Sequence, residues 1–267
     1  KHEDFNKVKN YKLLTILTKD RKKKKTVEIT AQELIKQGLP QFYVYYLVKI
    51  QQFYLKVLNI PKDKFRLYQL SDKEKAFYNK YHFDLEIEIN EHGWYEMGGL
   101  HYRTNHDLKG HQQVSKQSMD VLDEETNLKY IPHILELSFG VDRHIYALLD
   151  LSYAEDKKRG NVVLKLSSKL TPFFCAVFPL VKNKPKIVKK AKEVHALLES
   201  FNCFYDQTSS VGRRYARADE IGVKYCVTID FDSLEDDSVT VRDRDTTKQE
   251  RIKISKLSSK LLEMFNN

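Results

Sequence analysis

Two short segments place carboxylates, a hydroxyl and aromatic groups at spacings that regular backbone would aim together. In Gly93-Trp94-Tyr95-Glu96-Met97-Gly98-Gly99, Glu96 follows Trp94 by two positions, and in Ile134-Leu135-Glu136-Leu137-Ser138 a carboxylate and a hydroxyl share that spacing. Side chains two apart in a strand point to one face, so each pair predicts a common surface. A carboxylate inside a strand is costly unless a cation, a metal or a ligand ammonium satisfies it. Glu136 beside Ser138 is therefore suited to a small amine. Arg143, just past Gly140 at an expected helix start, offers a planar guanidinium that can hold a phosphate or stack on a base. An internal salt bridge from Glu136 to Arg143 or Arg103 accounts for the same residues without a ligand, and both readings stay open at this point.

Positioning these groups requires a sheet. Alternation predicts strands over 64–70 and 83–89, with Leu85, Ile87 and Ile89 on one face and Glu86 and Glu88 on the other. Residues 93–99 read as a turn running into a strand, 133–140 as a strand broken at glycine, and 141–151 as a helix striped by Ile145, Leu148 and Leu149. Upstream, an apolar run at 11–17 meets the charge block 19–25, read as an exposed turn. Thr30 and Glu33 form a capping box for a short helix stopped at Gly38, and 41–58 follows as a buried helix. After the charged turn 156–160 the texture changes, which sets a domain boundary near residue 166. Beyond it come a strand at 174–180, a helix at 186–200, strands at 225–229, 238–242 and 251–254, and a closing helix at 255–265. Interleaved strands and helices predict a compact α/β domain of about 100 residues.

Composition narrows the function. The chain has 267 residues, of which 41% are hydrophobic and 12% aromatic, so it can bury sizeable cores and is not disordered. Its 46 basic against 37 acidic residues give a net charge of +9, which suits a polyanionic partner, although a solvated lysine-rich surface gives the same balance. No stretch approaches the roughly 20 apolar residues of a membrane helix, and the Lys1-His2-Glu3-Asp4 start has no signal-like apolar core. A soluble, cytoplasmic protein is expected. Cys175, Cys203 and Cys226 are too far apart for a zinc site and are expected to be buried free thiols. His101, His106 and His111 recur every five residues, a spacing that fits neither a helix face nor a strand face and argues against a shared metal. Glycine-rich dinucleotide fingerprints, phosphate loops, nucleophile elbows and His-Glu-x-x-His helices are all missing from the sequence.

Longer motifs carry a resemblance. Residues 93–111, GWYEMGGLHYRTNHDLKGH, are similar to the pattern GW-x-E-x-x-G-x-x-x-R-x-x-x-DL-x-x-H of glycyl-tRNA synthetases of the archaeal and eukaryotic type. Residues 132–143, PHILELSFGVDR, resemble the third signature motif of class II aminoacyl-tRNA synthetases in its glycine form, with Glu-x-Ser ahead of Gly-x-x-Arg. GRRYARADEIG at 212–222 and VTIDFDSLEDDSVTVRDRDTTKQ at 227–249 resemble the anticodon-binding domain of that family. The resemblance runs from about residue 30 onward. It implies an α/β (α+β) architecture: residues 1–165 as the C-terminal part of a class II antiparallel-sheet catalytic domain, and 166–267 as an anticodon-binding domain with a mixed sheet.

The resemblance also implies roles and ligands. Arg143 would clamp ATP, with Glu96 and Met97 as further ATP contacts. Glu136, Leu137 and Ser138 would recognise glycine, and Arg103 would add positive charge near its carboxylate or the phosphates. Glu96 or Glu136 would hold Mg2+ through oxygen. Arg213, Arg214, Arg217, Asp219, Glu220, Arg242, Arg244 and Gln249 would meet the anticodon of tRNA(Gly), while Asp219 and Glu220 have the alternative of merely capping and pairing with the arginines. The implied activity is ATP-dependent activation of glycine to glycyl-adenylate and transfer to tRNA.

Departures qualify this picture. Residues 66–84 keep Arg66, Glu74, Ala76, Tyr78 and Asp84 of the family stretch RFRxHxxxEMAHYAxDCWD, but Tyr68, Leu70, Lys75 and Phe77 replace Arg, His, Met and His. Tyr102 stands where the family has Asp before the arginine. Motifs one and two, which supply the class II dimer interface and a second phosphate-binding arginine, do not occur in this sequence. A second polypeptide is therefore expected to provide them, giving a dimer of rebuilt units. The alternatives are a non-catalytic tRNA- or nucleic-acid-binding accessory protein of synthetase fold, and a class IIa synthetase for proline, threonine or histidine; intact Glu96, Glu136, Ser138 and Arg143 oppose the first, and Glu-x-Ser opposes the second.

Overall fold

The structure, a computed structural model, describes residues 2–23 and 25–266. Lys1, Asn267 and Lys24, which belongs to the expected charged turn, lie outside the described residues. Two compact units divide the chain, Lys1–Ala147 and Leu148–Asn267.

The first unit begins with strands β1 (Lys12–Ile16) and β2 (Val27–Thr30) and helices α1 (Ala31–Lys36) and α2 (Gln41–Gln52). Strands β3 (Phe65–Gln69), β4 (Tyr81–Ile89) and β5 (Gly93–Thr104), helix α3 (His106–Ser115), the ribbon β6 (Val121–Asp123) and β7 (Leu128–Tyr130), and strand β8 (Ile134–Phe139) follow. The division between units falls inside α4 (Val141–Ser152). Six strands form one sheet in the order β2-β1-β3-β4-β5-β8. Every neighbouring pair is antiparallel except β1 with β3. β1 falls on the apolar run at 11–17, whereas β2, α3 and the β6–β7 ribbon have no counterpart in the sequence pattern.

Alternation governs the sheet's sidedness. Phe83, Leu85, Ile87 and Ile89 are buried on one face of β4, while His82, Asp84, Glu86 and Glu88 stay partly exposed on the other. The apolar face meets α2, where the Tyr43 ring lies 6.1 Å from Phe83 and its hydroxyl donates to the Leu100 carbonyl at 2.7 Å. Each such side chain contributes roughly 1.5–3 kcal/mol on full burial. The capping box at α1 forms as expected, with Thr30 accepting from the Glu33 N–H and Glu33 accepting from the Thr30 N–H. The helix expected over 41–58 changes character at Phe53, where a π-helical turn spans Phe53–Val57. This wider turn carries Tyr54, fully buried, with its hydroxyl 2.5 Å from His144 Nε2 and its ring 4.7 Å from Phe65.

The second unit opens with the hairpin β9 (Tyr153–Asp156) and β10 (Asn161–Leu164). It continues through β11 (Cys175–Pro179), α5 (Pro185–Leu197), β12 (Cys203–Tyr205), α6 (Val211–Glu220), β13 (Tyr225–Ile229), β14 (Ser238–Asp243), β15 (Gln249–Lys253) and α7 (Ile254–Asn266). Its five-stranded sheet has the order β12-β11-β13-β14-β15. β11 is parallel to both neighbours and the other pairs are antiparallel, so the sheet is mixed. One core packs Val177, Ile187, Val194, Val227 and Leu257 together, and a second joins Ala176, Phe178, Ala218, Val223 and Cys226. The three cysteines are free, with Cys175 and Cys226 buried and Cys203 half-buried.

The division precedes the boundary read near residue 166, because the β9–β10 hairpin is tied into the second unit. Arg159 pairs with Asp156 at 3.0 Å and with Asp219 on α6 at 3.2 Å. Gly222 approaches β10 so closely that a Cβ would stand 3.1 Å from the Leu164 carbonyl.

Candidate functional site

Strand register assembles the polar face of the first unit. Across β5 and β8, Gly99 faces Ser138 and His101 faces Glu136; across β4 and β5, Asp84 faces Gly99 and Glu86 faces Glu96. Opposed residues share a face, so Glu86, Glu96, His82, Asp84, His101, Glu136 and Ser138 all belong to one surface. A bulge makes this possible. The β4–β5 register shifts between Leu85 and Glu86, leaving Met97 as the extra residue. Met97 turns inward and is buried, while Glu96 and Trp94 remain with the polar groups. Gly98 permits the close strand approach, since a Cβ there would lie 2.1 Å from the Ser138 carbonyl.

Arg103 occupies a second irregularity, between Tyr102 and Thr104 on β5. Its guanidinium grips Asp107 on α3 through two bonds of 2.8 Å, donates to Glu136, and lies 4.3 Å from the centre of the Tyr78 ring. These bonds push the Arg103 pKa up and the Asp107 carboxyl below its ordinary range. The salt-bridge reading of Glu136 is thus realised with Arg103. Arg143 takes another place: its Nη1 donates to the Glu96 carbonyl at 2.9 Å and stands 4.0 Å from the Glu96 carboxylate. Its guanidinium lies 5.3 Å from the centre of the Tyr95 ring, beside a cavity of about 290 Å3 lined by Tyr95, His92, Met97 and Tyr146. The Gly140 N–H donates to the Met97 carbonyl, which ties the start of α4 to β5. Glu96, Met97 and Arg143 therefore come together, and Glu136 joins Ser138 and Arg103. Leu137 points away from them and is half-exposed.

Sequence reasoning assigned no role to several groups on this surface. Arg66 pairs with Glu86 at 2.5 Å and covers Trp94 at 4.0 Å from the ring centre, which fixes the indole beside Glu96. Burial pushes the Glu86 carboxyl up despite that arginine. Asp107 lies in the family-like run at 93–111, four residues beyond Arg103, whereas His82 and Asn79 reach the site only through the fold. Among the described residues, no group of three or more His, Cys, Asp or Glu could hold a metal ion, and His106 and His111 do not join His101 in one.

In the second unit burial divides the basic and acidic candidates. Arg214 is 1% exposed and donates to the carbonyls of Pro179 at 2.5 Å and Leu180 at 3.3 Å, closing the end of β11. Asp219 receives both Arg242 nitrogens, at 2.8 and 2.9 Å, in the domain interior. Arg244 is likewise buried and donates to the carbonyls of Gly222 and Leu166, each at 2.8 Å. The expectation that Arg214, Asp219, Arg242 and Arg244 meet an anticodon is therefore corrected: they hold the domain together, because a side chain so enclosed cannot reach a base. For Asp219 the alternative of pairing with arginine is the observed one. Arg213, Glu220 and Gln249 are exposed. Arg217 is partly exposed and bonds Asp206 and the Thr208 hydroxyl at 2.8 Å. Burial acts to raise the Asp206 carboxyl, but its bonds to Arg217 and Thr208 outweigh this and bring it below the ordinary range.

The family described as "Anticodon binding domain" (HGTP_anticodon) matches residues 175–264. A glycine–tRNA ligase of Clostridium beijerinckii is 42% identical over 206 residues, covering 76% of this chain and 44% of its own length. Another from Malacoplasma penetrans is 40% identical, covering 87% of this chain and 50% of its own. That of Pyrococcus horikoshii is 32% identical, covering 99% of this chain and 60% of its own. The chain spans about half the length of the curated relatives it matches. Most of this chain is thus similar to glycine–tRNA ligases, and its residues 175–264 match the anticodon-binding domain family, as the motifs implied.

Proposed function

We propose that the chain is the motif-three and anticodon-binding part of a glycine–tRNA ligase. The observation that carries this reading is the β4–β5–β8 register, which gathers Glu96, Glu136 and Ser138 on one face with Arg143 tied to Glu96. In the first step a glycine carboxylate oxygen attacks the α-phosphorus of ATP, and the bond to pyrophosphate breaks. In the second, a terminal ribose oxygen of tRNA(Gly) attacks the acyl carbon, AMP departs, and the hydroxyl proton passes to the phosphate or to water. Neither step needs a covalent enzyme intermediate, so positioning and charge neutralisation carry the rate.

In this reading Arg143 and the Glu96–Met97 backbone hold ATP, while Glu136 and Ser138 accept from the glycine ammonium. Arg103 orients Glu136 and lends positive charge near the substrate carboxylate or phosphates. Mg2+ would neutralise the phosphates. Glu96, half-exposed and paired with Arg143 at no less than 4.0 Å, fits as one of the few protein ligands that ion takes. Glu136 does not fit that role, because its carboxylate already accepts from Arg103. Arg213, Arg217, Glu220 and Gln249 are the accessible groups for the anticodon of tRNA(Gly).

A polypeptide region carrying motifs one and two completes the site in this proposal, and rebuilt units pair as a dimer. The open outer edge of β8 supports it: β8 ends the sheet, and Leu137 and Phe139 on it are half-exposed. Localisation is proposed as cytoplasmic; among the described residues no helix is long and apolar enough to cross a membrane. The test is glycine-dependent ATP–pyrophosphate exchange, run with this chain alone and with a polypeptide carrying motifs one and two. Exchange confined to the mixture is expected. No exchange in either, with tRNA binding intact, would refute the ligase reading in favour of an accessory protein.

A further inference from the structure

Two imidazoles on the polar face have no part in the roles above. His82 on β4 and His101 on β5 stand opposite one another, with ring centroids 3.9 Å apart. Gly99 clears the space for them: a Cβ there would lie 2.6 Å from His101 Nε2 and 3.0 Å from His82 Nε2. His101 Nε2 is 3.4 Å from the Ser138 hydroxyl, and its Nδ1 is 3.2 Å from the Asn79 amide. His101 also faces Glu136 directly across the β5–β8 ladder. His82 Nε2 lies 3.0 Å from Asp84.

We propose that His101 is a third acceptor for the ammonium of the amino-acid substrate, beside Glu136 and Ser138, and that Asn79 positions it. This rests on the ligase reading. An α-ammonium has three N–H donors, and Glu136, Ser138 and a lone pair on His101 Nε2 give it three acceptors on one surface. That lone pair requires the proton to sit on Nδ1. Asn79 is buried, and its Oδ1 has no partner while Nδ2 faces His101. A half-turn of the amide places Oδ1 against Nδ1–H and frees Nε2 to accept. Before substrate binds, Nε2 accepts from the Ser138 hydroxyl.

Charge supports the same arrangement. Burial and then the neighbouring His82 lower the His101 pKa below its ordinary value, which favours the neutral ring. The groups facing it are His82 and Asp84 from β4, Glu136 from β8, and Arg103 from β5 with Asp107 of α3 behind it. Acid converts the acceptor into a cationic donor that repels the ammonium.

The experiment has two readouts. Long-range 1H–15N correlation on the full chain, labelled with 15N-histidine, is expected to show His101 neutral and protonated on Nδ1, with its signals moved by glycine and not by glycolate. In the exchange assay with the completing polypeptide, His101→Ala should raise the glycine KM about tenfold with a smaller change in kcat, the scale of one lost bond to a charged group. His101→Gln, which retains an acceptor oxygen, should recover part of that loss. An Nε2-protonated tautomer overturns the proposal, as does normal wild-type exchange with an unchanged glycine KM in His101→Ala. Absence of exchange in the unmodified protein would instead overturn the ligase reading and this inference together, and the two failures differ in whether wild type is affected.

Discussion

Replacing Arg242 by methionine removes the bidentate partner of Asp219 while keeping a long apolar stem in its place. Asp219 is 2% exposed, so water cannot take over from the lost guanidinium, and among the described residues Arg159 at 3.2 Å is the cation that remains. Breaking a buried pair costs about 3–5 kcal/mol, because the charge left behind is poorly solvated. Arg159 offsets part of that, which points to about 3 kcal/mol for Arg242→Met. For a unit of this size each kcal/mol moves the melting midpoint by about 3–5 °C, giving a fall of roughly 10–15 °C. Replacing both partners, Arg242→Met with Asp219→Leu, should recover much of the loss, since neither charge is then stranded. Scanning calorimetry of the full chain reads the midpoint, and filter binding of tRNA well below it reads the surface. A midpoint within about 2 °C of wild type, together with weakened tRNA binding in the folded protein, would refute the burial argument and return Arg242 to the nucleic-acid surface.

Other expectations bear on the remaining parts. Arg143→Ala should suppress glycine-dependent ATP–pyrophosphate exchange by at least about 100-fold, the scale of one lost transition-state donor. Its tRNA affinity should stay nearly intact; equal loss of both would contradict the ATP assignment. Gly98→Ala drives a Cβ toward the Ser138 carbonyl at 2.1 Å. It should destabilise the first unit by about 3 kcal/mol in urea titration, since backbone must move to relieve it. In the second unit, Asp245 sits between Arg244 and Lys224, whose bonds outweigh burial and lower its carboxyl pKa to about 2. A depressed carboxylate pKa stabilises the fold above the unfolded value and loses that contribution as pH falls toward the folded one. Urea midpoints followed from about pH 5 to pH 2 should therefore decline, and less steeply in Asp245→Asn. Arg213→Ala should weaken tRNA binding with no change in melting midpoint, as an exposed contact requires.

Much of the architecture is legible in the sequence. The strict alternation of Leu85, Ile87 and Ile89 with glutamates predicts a half-buried strand, and the structure buries those three and leaves the glutamates on the opposite face. The strand at 225–229 and the helix after Gly140 also stand where the pattern put them. Short or polar elements were not legible. α6 carries Arg213, Arg214, Arg217, Asp219 and Glu220, so its sequence reads as a charged surface, while its helical form depends on the Ser210 cap and on packing of Ala218. The grouping of the β9–β10 hairpin with the second unit was not legible, because its anchors, Asp219 and Gly222, are far away in sequence.

The sequence by itself determined the residue types of the candidate site and, within unbroken strands such as β4 and β8, which of them share a face, because a period of two fixes sidedness locally. It also carried the resemblance on which the glycine reading stands. Only the tertiary structure decided which charges meet. The bulge at Met97 keeps Glu96 with Glu136, the ladder register sets His101 between Glu136 and His82, and folding encloses Arg214, Arg242 and Arg244 while Arg213 stays outside. An arginine has the same letter in a core and on a surface. Its partners come from strands and helices distant in the chain, and burial decides whether its charge serves the fold or a ligand.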